Sequence, residues 1–334
     1  MKALVTGGGG FLGRAIVEML LNRSTRVRIL SRKRYPILEA LGAEGMQGDI
    51  RNADDISKAC MGMDAVFHTA ALPGIWGNIE TYHAINVIGT LNVIEACRRR
   101  GVGKLVYTSS PSVVFDMKDE NNVDEKTPYP AQFFNPYSQT KAVAEQEVLK
   151  ASGRDGLLAC AIRPHLIYGP RDNHLVPRVI ERATRGKLRI VGKGQNKVDL
   201  TFVENAARAH LLACDAMSAN RVAGKAYFVS DDRPVVLWKW INDLLSGVGV
   251  PKVSKSINAG LAYGLGATIE QIYHILGKEE EPPMTRFLAR ALSCSHYYNI
   301  GNAKRDFSYK PVIDPDEALQ RTIEFFKGKT AAHQ

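Results

Sequence analysis

Tyr137 and Lys141 stand four residues apart in Tyr137-Ser138-Gln139-Thr140-Lys141. That spacing puts a phenol and an ammonium on one face of a helix that begins near Asn135-Pro136. A phenol with a free pKa of about 10 is a weak acid-base catalyst at neutral pH. A cation about 4 Å away contributes on the order of 4 kcal/mol at an effective dielectric of 20, enough to lower that pKa by roughly three units before burial opposes it. Upstream, Leu105-Val106-Tyr107-Thr108-Ser109-Ser110 reads as a strand ending in hydroxyls, which a parallel sheet would bring beside the tyrosine. Such a set can move a proton to or from an oxygen atom. The expected roles are Tyr137 as proton donor or acceptor, Lys141 as its electrostatic partner and Ser110 as the hydroxyl that holds the reacting oxygen. Ser112 and Ser109 are alternatives for Ser110.

A second set lies at the start of the chain, where Lys2 to Thr6 runs into Gly7-Gly8-Gly9-Gly10-Phe11-Leu12-Gly13 and then a helical pattern. Strand, glycines and helix in this order form a dinucleotide fingerprint. The turn needs backbone without Cβ atoms, so that a pyrophosphate can reach main-chain N–H groups at a helix N-terminus. Gly7, Gly10, Phe11, Leu12 and Gly13 are the candidate contacts. At the end of the second strand an acidic residue would select NAD; here the position is Ser31, followed by Arg32-Lys33-Arg34. With no carboxylate to repel a 2′-phosphate and a guanidinium to fork onto it, NADP(H) is the expected cofactor. Asp49 and Ile50, after the third strand, would hold the adenine amine and face. Proton transfer at an oxygen beside a nicotinamide is the chemistry of hydride exchange between a carbonyl and an alcohol.

Elements able to position these groups are legible. Strand patterns at Ala3–Thr6, Val27–Ser31, Glu44–Gln47, Ala65–His68, Lys104–Ser109 and Leu158–Ile162 alternate with apolar-periodic segments such as Ala15–Leu21 and Asn86–Arg98. The reading is an α/β fold: a Rossmann-like doubly wound parallel sheet over residues 1–170, with a smaller C-terminal substrate lobe over 171–334. A helix is expected at Leu175–Arg185, a strand and helix at Asp199–Met217 and a strand at Ala226–Val229, with parts of 199–230 returning to the sheet. Arg98-Arg99-Arg100 closes a helix before Gly101.

The 334 residues carry a formal charge of +10, with 45% hydrophobic and 23% charged side chains, the balance of a soluble globular chain rather than a membrane or disordered one. The five cysteines are odd in number, scattered and without a C-x-x-C pair, which argues against disulfides and a metal site and for a reducing, cytoplasmic setting. A strand pattern from Lys2 leaves no room for a signal peptide. No zinc-finger or RNA-binding signature accompanies the basic residues, so nucleic acid is not expected. Between Lys255 and Lys278 the only formal charge is Glu270. This glycine-spaced apolar stretch, Ile257–Leu276, is read as a helix pair of the substrate lobe, with peripheral membrane contact as the second reading and a spanning helix disfavoured by Glu270.

With these residues in hand, the chain resembles the extended short-chain dehydrogenase/reductase family. His68-Thr69-Ala70-Ala71, Asn86-Val87-Ile88-Gly89-Thr90 and Arg163 to Pro170 are similar to its later signatures. The resemblance implies that Ala70, Pro164 and Ile167 line the cofactor pocket, that Lys141 also bonds the nicotinamide ribose, and that the chain dimerises through the helices Asn86–Arg98 and Tyr137–Leu149. Pro282 to Phe287, His296-Tyr297-Tyr298 and Ala303 to Tyr309 resemble the 3β-hydroxysteroid and sterol-4α-carboxylate dehydrogenase branch. Ser31 to Pro36 and Tyr107 to Val113 resemble the bacterial 2-alkyl-3-oxoalkanoate reductases of long-chain olefin biosynthesis. These likenesses imply NADPH-dependent reduction of a β-keto acid, between a condensing enzyme and a β-lactone-forming enzyme of the same lipid pathway. Sterol oxidation is the alternative, and an NAD-dependent sugar-nucleotide epimerase or dehydratase a further one. A carboxylate substrate needs a cation, for which Arg171, Arg178 and Arg286 are candidates, and Ile257–Leu276 would suit alkyl chains.

Overall fold

The computed structural model describes residues 1–331. Its main sheet has seven strands, numbered here in chain order: β1 Lys2–Thr6, β2 Arg26–Ser31, β3 Glu44–Gln47, β4 Ala65–His68, β5 Lys104–Thr108, β6 Leu158–Pro164 and β7 Ala226–Val229. Every pairing is parallel, in the order β7-β6-β5-β4-β1-β2-β3. The direction of winding reverses between β1 and β4, the switch point at whose carboxyl ends folds of this kind hold their ligands.

Near-continuous apolar runs such as Ala3-Leu4-Val5 and Ala65-Val66-Phe67 are fully buried because helices cover both faces of the sheet. On one side Ile16, Val17 and Leu20 pack with Ala206, Ala209 and Ala213; on the other Ile56, Val93, Ile94 and Val148 form a second core. Local chemistry sets the helix ends. Asn52 caps Ala53–Cys60 by accepting from the Asp54 and Asp55 amides, and Gly101, at φ 68°, ends Gly89–Arg100 in the left-handed region after the three arginines.

The remaining chain builds a lobe with its own core, in which Trp238, Trp240, Leu244 and Leu245 meet Val191, Val198 and Phe202. A four-stranded sheet, ordered Val235–Val236, Lys197–Val198, His296–Tyr298, Glu120–Val123, ties that lobe to the segment after β5. Three sequence expectations shift. The β5 strand ends at Thr108, releasing Ser109, and β6 continues to Pro164. The stretch 257–276 folds mainly as one helix, Ala259–Ile275, which packs on Arg286–Ala291 instead of pairing with itself. No helix among the described residues is long and apolar enough to cross a membrane.

Candidate active site

At the end of β1 the glycine turn is shaped by contacts that no side chain would survive. Gly7 sits at φ +69°, and a Cβ there would lie 2.9 Å from the Ala70 backbone; at Gly13 it would lie 2.2 Å from the Gly7 carbonyl oxygen. The Gly10 amide donates to that same oxygen at 2.8 Å. Helix Phe11–Asn22 therefore starts tight against the strand, with Gly10 as an N-cap that offers no side chain to the first-turn amides. The cradle fits a dinucleotide pyrophosphate: it is built of glycines that close contacts forbid to carry a Cβ, at a helix N-terminus that no side chain caps.

Sequence reasoning missed Tyr35. Its ring would be 2.0 Å from a Cβ at Gly9, so the loop after β2 folds back over the glycine turn. In that loop Ser31 Oγ donates to the Lys33 carbonyl at 2.8 Å, and Arg34 is ion-paired with Glu39. Arg32 is exposed, with its guanidinium unpaired among the described residues. Of the two loop arginines, Arg32 is the one left free for an anion. Asp49 is drawn into an ion pair with Arg51, whose guanidinium holds the carboxyl below its usual range. Ile50 is buried beneath Gly89, where a Cβ would come within 2.6 Å of it.

The catalytic candidates meet beyond β5. Asn135 caps helix Pro136–Ala151, accepting from the Ser138 amide at 2.8 Å, with Pro136 in the first turn. Ser110 caps the short turn Pro111–Val113 and lies 3.0 Å from Ser112 Oγ. Its hydroxyl is also the group that draws the Tyr137 phenol back down, against burial, which raises it. Ser109 is turned away, buried toward Glu145. Among the three serines, Ser110 is the partner of the phenol.

Lys141 departs from the expected arrangement. Its Nζ donates to the Thr108 carbonyl at 2.5 Å and lies 4.0 Å from the centroid of the Tyr107 ring. Burial lowers its pKa to about 7, opposed by Glu145 one turn further on. The ammonium is thus directed at the end of β5; burial leaves the Tyr137 pKa above its ordinary value, and the pull that opposes burial comes from Ser110 and not from the lysine.

A buried polar chain holds these pieces in register. Thr90 Oγ1 donates to the Asn86 carbonyl at 2.6 Å, so it accepts from His68 Nε2 at 3.0 Å, which leaves His68 Nδ1 to accept from Thr6 Oγ1 at 2.7 Å. Burial, then Lys141, keeps this imidazole neutral, with its pKa pushed down to about 3. The Asn86 side chain clasps Leu72 through amide and carbonyl and donates to Thr140 Oγ1 at 3.1 Å, between Tyr137 and Lys141. Asn86 lies in a π-helical turn, His83–Ile88, a distortion common at functional sites. Its position in Asn86-Val87-Ile88-Gly89-Thr90 is the only signal the sequence offered. Further along the same helix, Glu145 is fully buried and takes Arg163 Nε at 2.9 Å and the Tyr129 hydroxyl at 2.6 Å.

The three arginines considered for a substrate carboxylate all have acidic partners: Arg171 with Glu18, Arg178 with Glu281 and Arg286 with Glu270. Arg286 Nε meets Glu270 at 2.6 Å, which accounts for the lone acid in the apolar stretch. That stretch also fails to line an interior: only Ala262, Gly266 and Glu270 of Ala259–Ile275 are buried. Ala70 borders the glycine cradle, Pro164 ends β6, and Ile167 lies in the short strand Ile167–Tyr168 beside Thr201–Phe202. Gly7, Ser31, Asp49, Ala70, Ser110 and Pro164 therefore all follow or end strands at one edge of the sheet.

The model of the 3-beta hydroxysteroid dehydrogenase/isomerase family matches residues 4–258. The chain is 46% identical over 324 residues to the 2-alkyl-3-oxoalkanoate reductase of Stenotrophomonas maltophilia, covering 96% of this chain and 98% of that one. It is 36% identical over 333 residues to the decarboxylating sterol-4-alpha-carboxylate 3-dehydrogenase of Mus musculus, covering 97% and 91%. Among solved structures, the crystal structure of gox2253 superposes with a TM-score of 0.78 at 26% identity, covering 98% of each chain.

Proposed function

The chain belongs to the 3-beta hydroxysteroid dehydrogenase/isomerase family, a branch of the extended short-chain dehydrogenases and reductases, and on that premise we propose that it reduces the 3-oxo group of a long-chain 2-alkyl-3-oxoalkanoate with NADPH. The observation that carries the reading is the convergence of Ser110 and Tyr137 at the carboxyl edge of the sheet that also bears the glycine cradle. The substrate class rests on the 46% identity to the Stenotrophomonas reductase over nearly the whole of both chains.

In this proposal the pyrophosphate rests on the amides of Gly7 to Gly13 and Arg32 takes the 2′-phosphate. Ala70, Pro164 and Ile167 border the nicotinamide, and Lys141 holds its ribose. When bound, NADPH supplies a hydride to the carbonyl carbon. Ser110 holds the substrate oxygen, and the Tyr137 O–H bond breaks as its proton passes to that oxygen, leaving the alcohol. Burial favours the neutral phenol, the form that can donate.

The 36% identity to the mouse sterol enzyme supports a second reading, in which the same residues run the reaction as oxidation of a 3β-hydroxysterol carboxylate. Ile88, at the end of the π-helical turn, Leu91 in Gly89–Arg100 and Val143 in Pro136–Ala151 are 40%, 37% and 39% exposed, which supports a homodimer through these helices. Purified protein offered NADPH with β-keto acids and nucleotide sugars, and NADP with 3β-hydroxysterols, tests the assignment. Turnover of the β-keto acids is expected, and turnover of nucleotide sugars alone would overturn it.

A further inference from the structure

Of the four consecutive glycines Gly7 to Gly10, Gly9 is the one kept bare by an aromatic ring. A Cβ there would lie 2.0 Å from both Cζ and Cε2 of Tyr35 and 2.4 Å from Cδ2, so the hydroxyl-bearing edge of the ring is seated on the turn. Its neighbours meet other groups. A Cβ at Gly8 would run into Ile29 and Val17 of the core, at 2.8 and 3.2 Å, and one at Gly10 would meet only the Gly7 carbonyl oxygen, at 3.1 Å. The missing side chain of Gly9 therefore makes room for a residue of the loop after β2.

That loop is built to keep the ring in place. Ser31 Oγ donates to the Lys33 carbonyl at 2.8 Å, and Gln47 Nε2 donates to the Arg32 carbonyl at 3.0 Å. The Tyr35 carbonyl accepts from the Leu38 and Glu39 amides at 2.9 and 3.1 Å, and Arg34 Nε reaches Glu39 at 3.0 Å. The ring itself packs against the core that contains Ile16, Val17 and Ile29. Two groups of the loop are left over. Tyr35 is half-buried, and its hydroxyl makes no hydrogen bond among the described residues. Arg32 is exposed and in no ion pair among them. No acid stands in Ser31-Arg32-Lys33-Arg34-Tyr35-Pro36 to compete for either. A free hydroxyl and a free guanidinium on one pinned loop suit a phosphate monoester, whose several acceptor oxygens can take a fork from the arginine and a further hydrogen bond besides.

On the reading that NADPH is the cofactor, we propose that Tyr35 is a specificity-determining residue: its phenol closes the adenosine end of the glycine cradle and donates a hydrogen bond to the 2′-phosphate that Arg32 takes. NADH, with no phosphate there, gains nothing from the hydroxyl. Fluorescence titration of the full chain with each dinucleotide tests this without turnover. Tyr35→Phe, which removes only an unbonded hydroxyl and leaves Tm unchanged, weakens NADPH by about tenfold and NADH by about twofold or less. Gly9→Ala weakens both, because the methyl displaces the ring from the turn, and adding Tyr35→Ala to it restores NADH but not NADPH. Unchanged NADPH affinity in Tyr35→Phe overturns the proposal, as does equal weakening of the two dinucleotides, which makes the ring a wall for the adenine alone. A Gly9→Ala defect that Tyr35→Ala leaves in place takes the ring off the turn and overturns it too. Failure of the cofactor reading looks different: the wild type then binds NADH as tightly as NADPH, which removes the 2′-phosphate from the site and the role of Tyr35 with it.

Discussion

Lys141 and Thr108 are joined by a 2.5 Å hydrogen bond from the side-chain amine of one to the main-chain carbonyl of the other. The bond pins helix Pro136–Ala151 to the end of β5, and with Tyr107 beneath it Lys141 is only 2% exposed. Burial holds the Lys141 pKa near 7, against an ordinary value of 10.5. Between these values the unfolded chain retains a proton that the folded chain has released, so stability from this group rises with pH across that window, and the cost of burying the charge is full below it. Lys141→Met should therefore raise Tm relative to wild type at about pH 6 by more than at about pH 10. Turnover should fall in the same variant. An equal shift in Tm at both pH values would show that the amine is not buried as a charge.

Ser110 acts on the phenol. Its hydroxyl opposes the upward pull of burial on Tyr137, so Ser110→Ala should move the alkaline limb of the pH–rate profile for reduction to higher pH. It should also lower turnover by about tenfold or more, as expected on losing one hydrogen bond to the reacting oxygen. A profile that keeps its shape would remove Ser110 from the site.

The long-range order of the fold was legible in the sequence because parallel strands buried on both faces give unbroken apolar runs, as in Ala65-Val66-Phe67, and because the glycine turn follows one of them directly. That Ser110 and Tyr137 meet was legible for a related reason: each sits at a predictable end of an element. What the sequence hid depended on side-chain direction. Nothing in Tyr137-Ser138-Gln139-Thr140-Lys141 says that the amine turns to the Thr108 carbonyl, or that Asn86 reaches Thr140 from a π-helical turn. That Ala259–Ile275 buries only Ala262, Gly266 and Glu270 was hidden too, since an apolar composition does not reveal which face is covered.

Arg32 and Arg34 differ in what they hold. Because Arg34 is ion-paired with Glu39, whereas Arg32 makes no ion pair among the described residues and acts on Asp49 only after Arg51, Arg32→Ala should weaken NADPH by about tenfold or more and leave NADH nearly unchanged. Fluorescence titration of the two dinucleotides separates the outcomes. Equal losses would place the 2′-phosphate elsewhere.

Gly13 packs against the first turn. A methyl there would sit 2.2 Å from the Gly7 carbonyl oxygen, which is main chain and cannot swing aside. Gly13→Ala should abolish measurable NADPH binding and lower Tm by several degrees, through roughly 1–3 kcal/mol of overpacking. Calorimetric titration and a thermal melt read both effects, and normal affinity would mean that the cradle does not hold the pyrophosphate.

The central claim is that Tyr137 delivers a proton to an oxygen while NADPH reduces the carbon that bears it. A single turnover with NADPH deuterated at the transferable position, a 2-alkyl-3-oxoalkanoate and either wild type or Tyr137→Phe tests it most directly. Deuterium should appear on C3 of the hydroxy acid, one NADPH should be oxidised per alcohol formed, and the phenylalanine variant should be slower by at least about a hundredfold with NADPH affinity intact. Label absent from C3, or an undiminished rate in the variant, would contradict it.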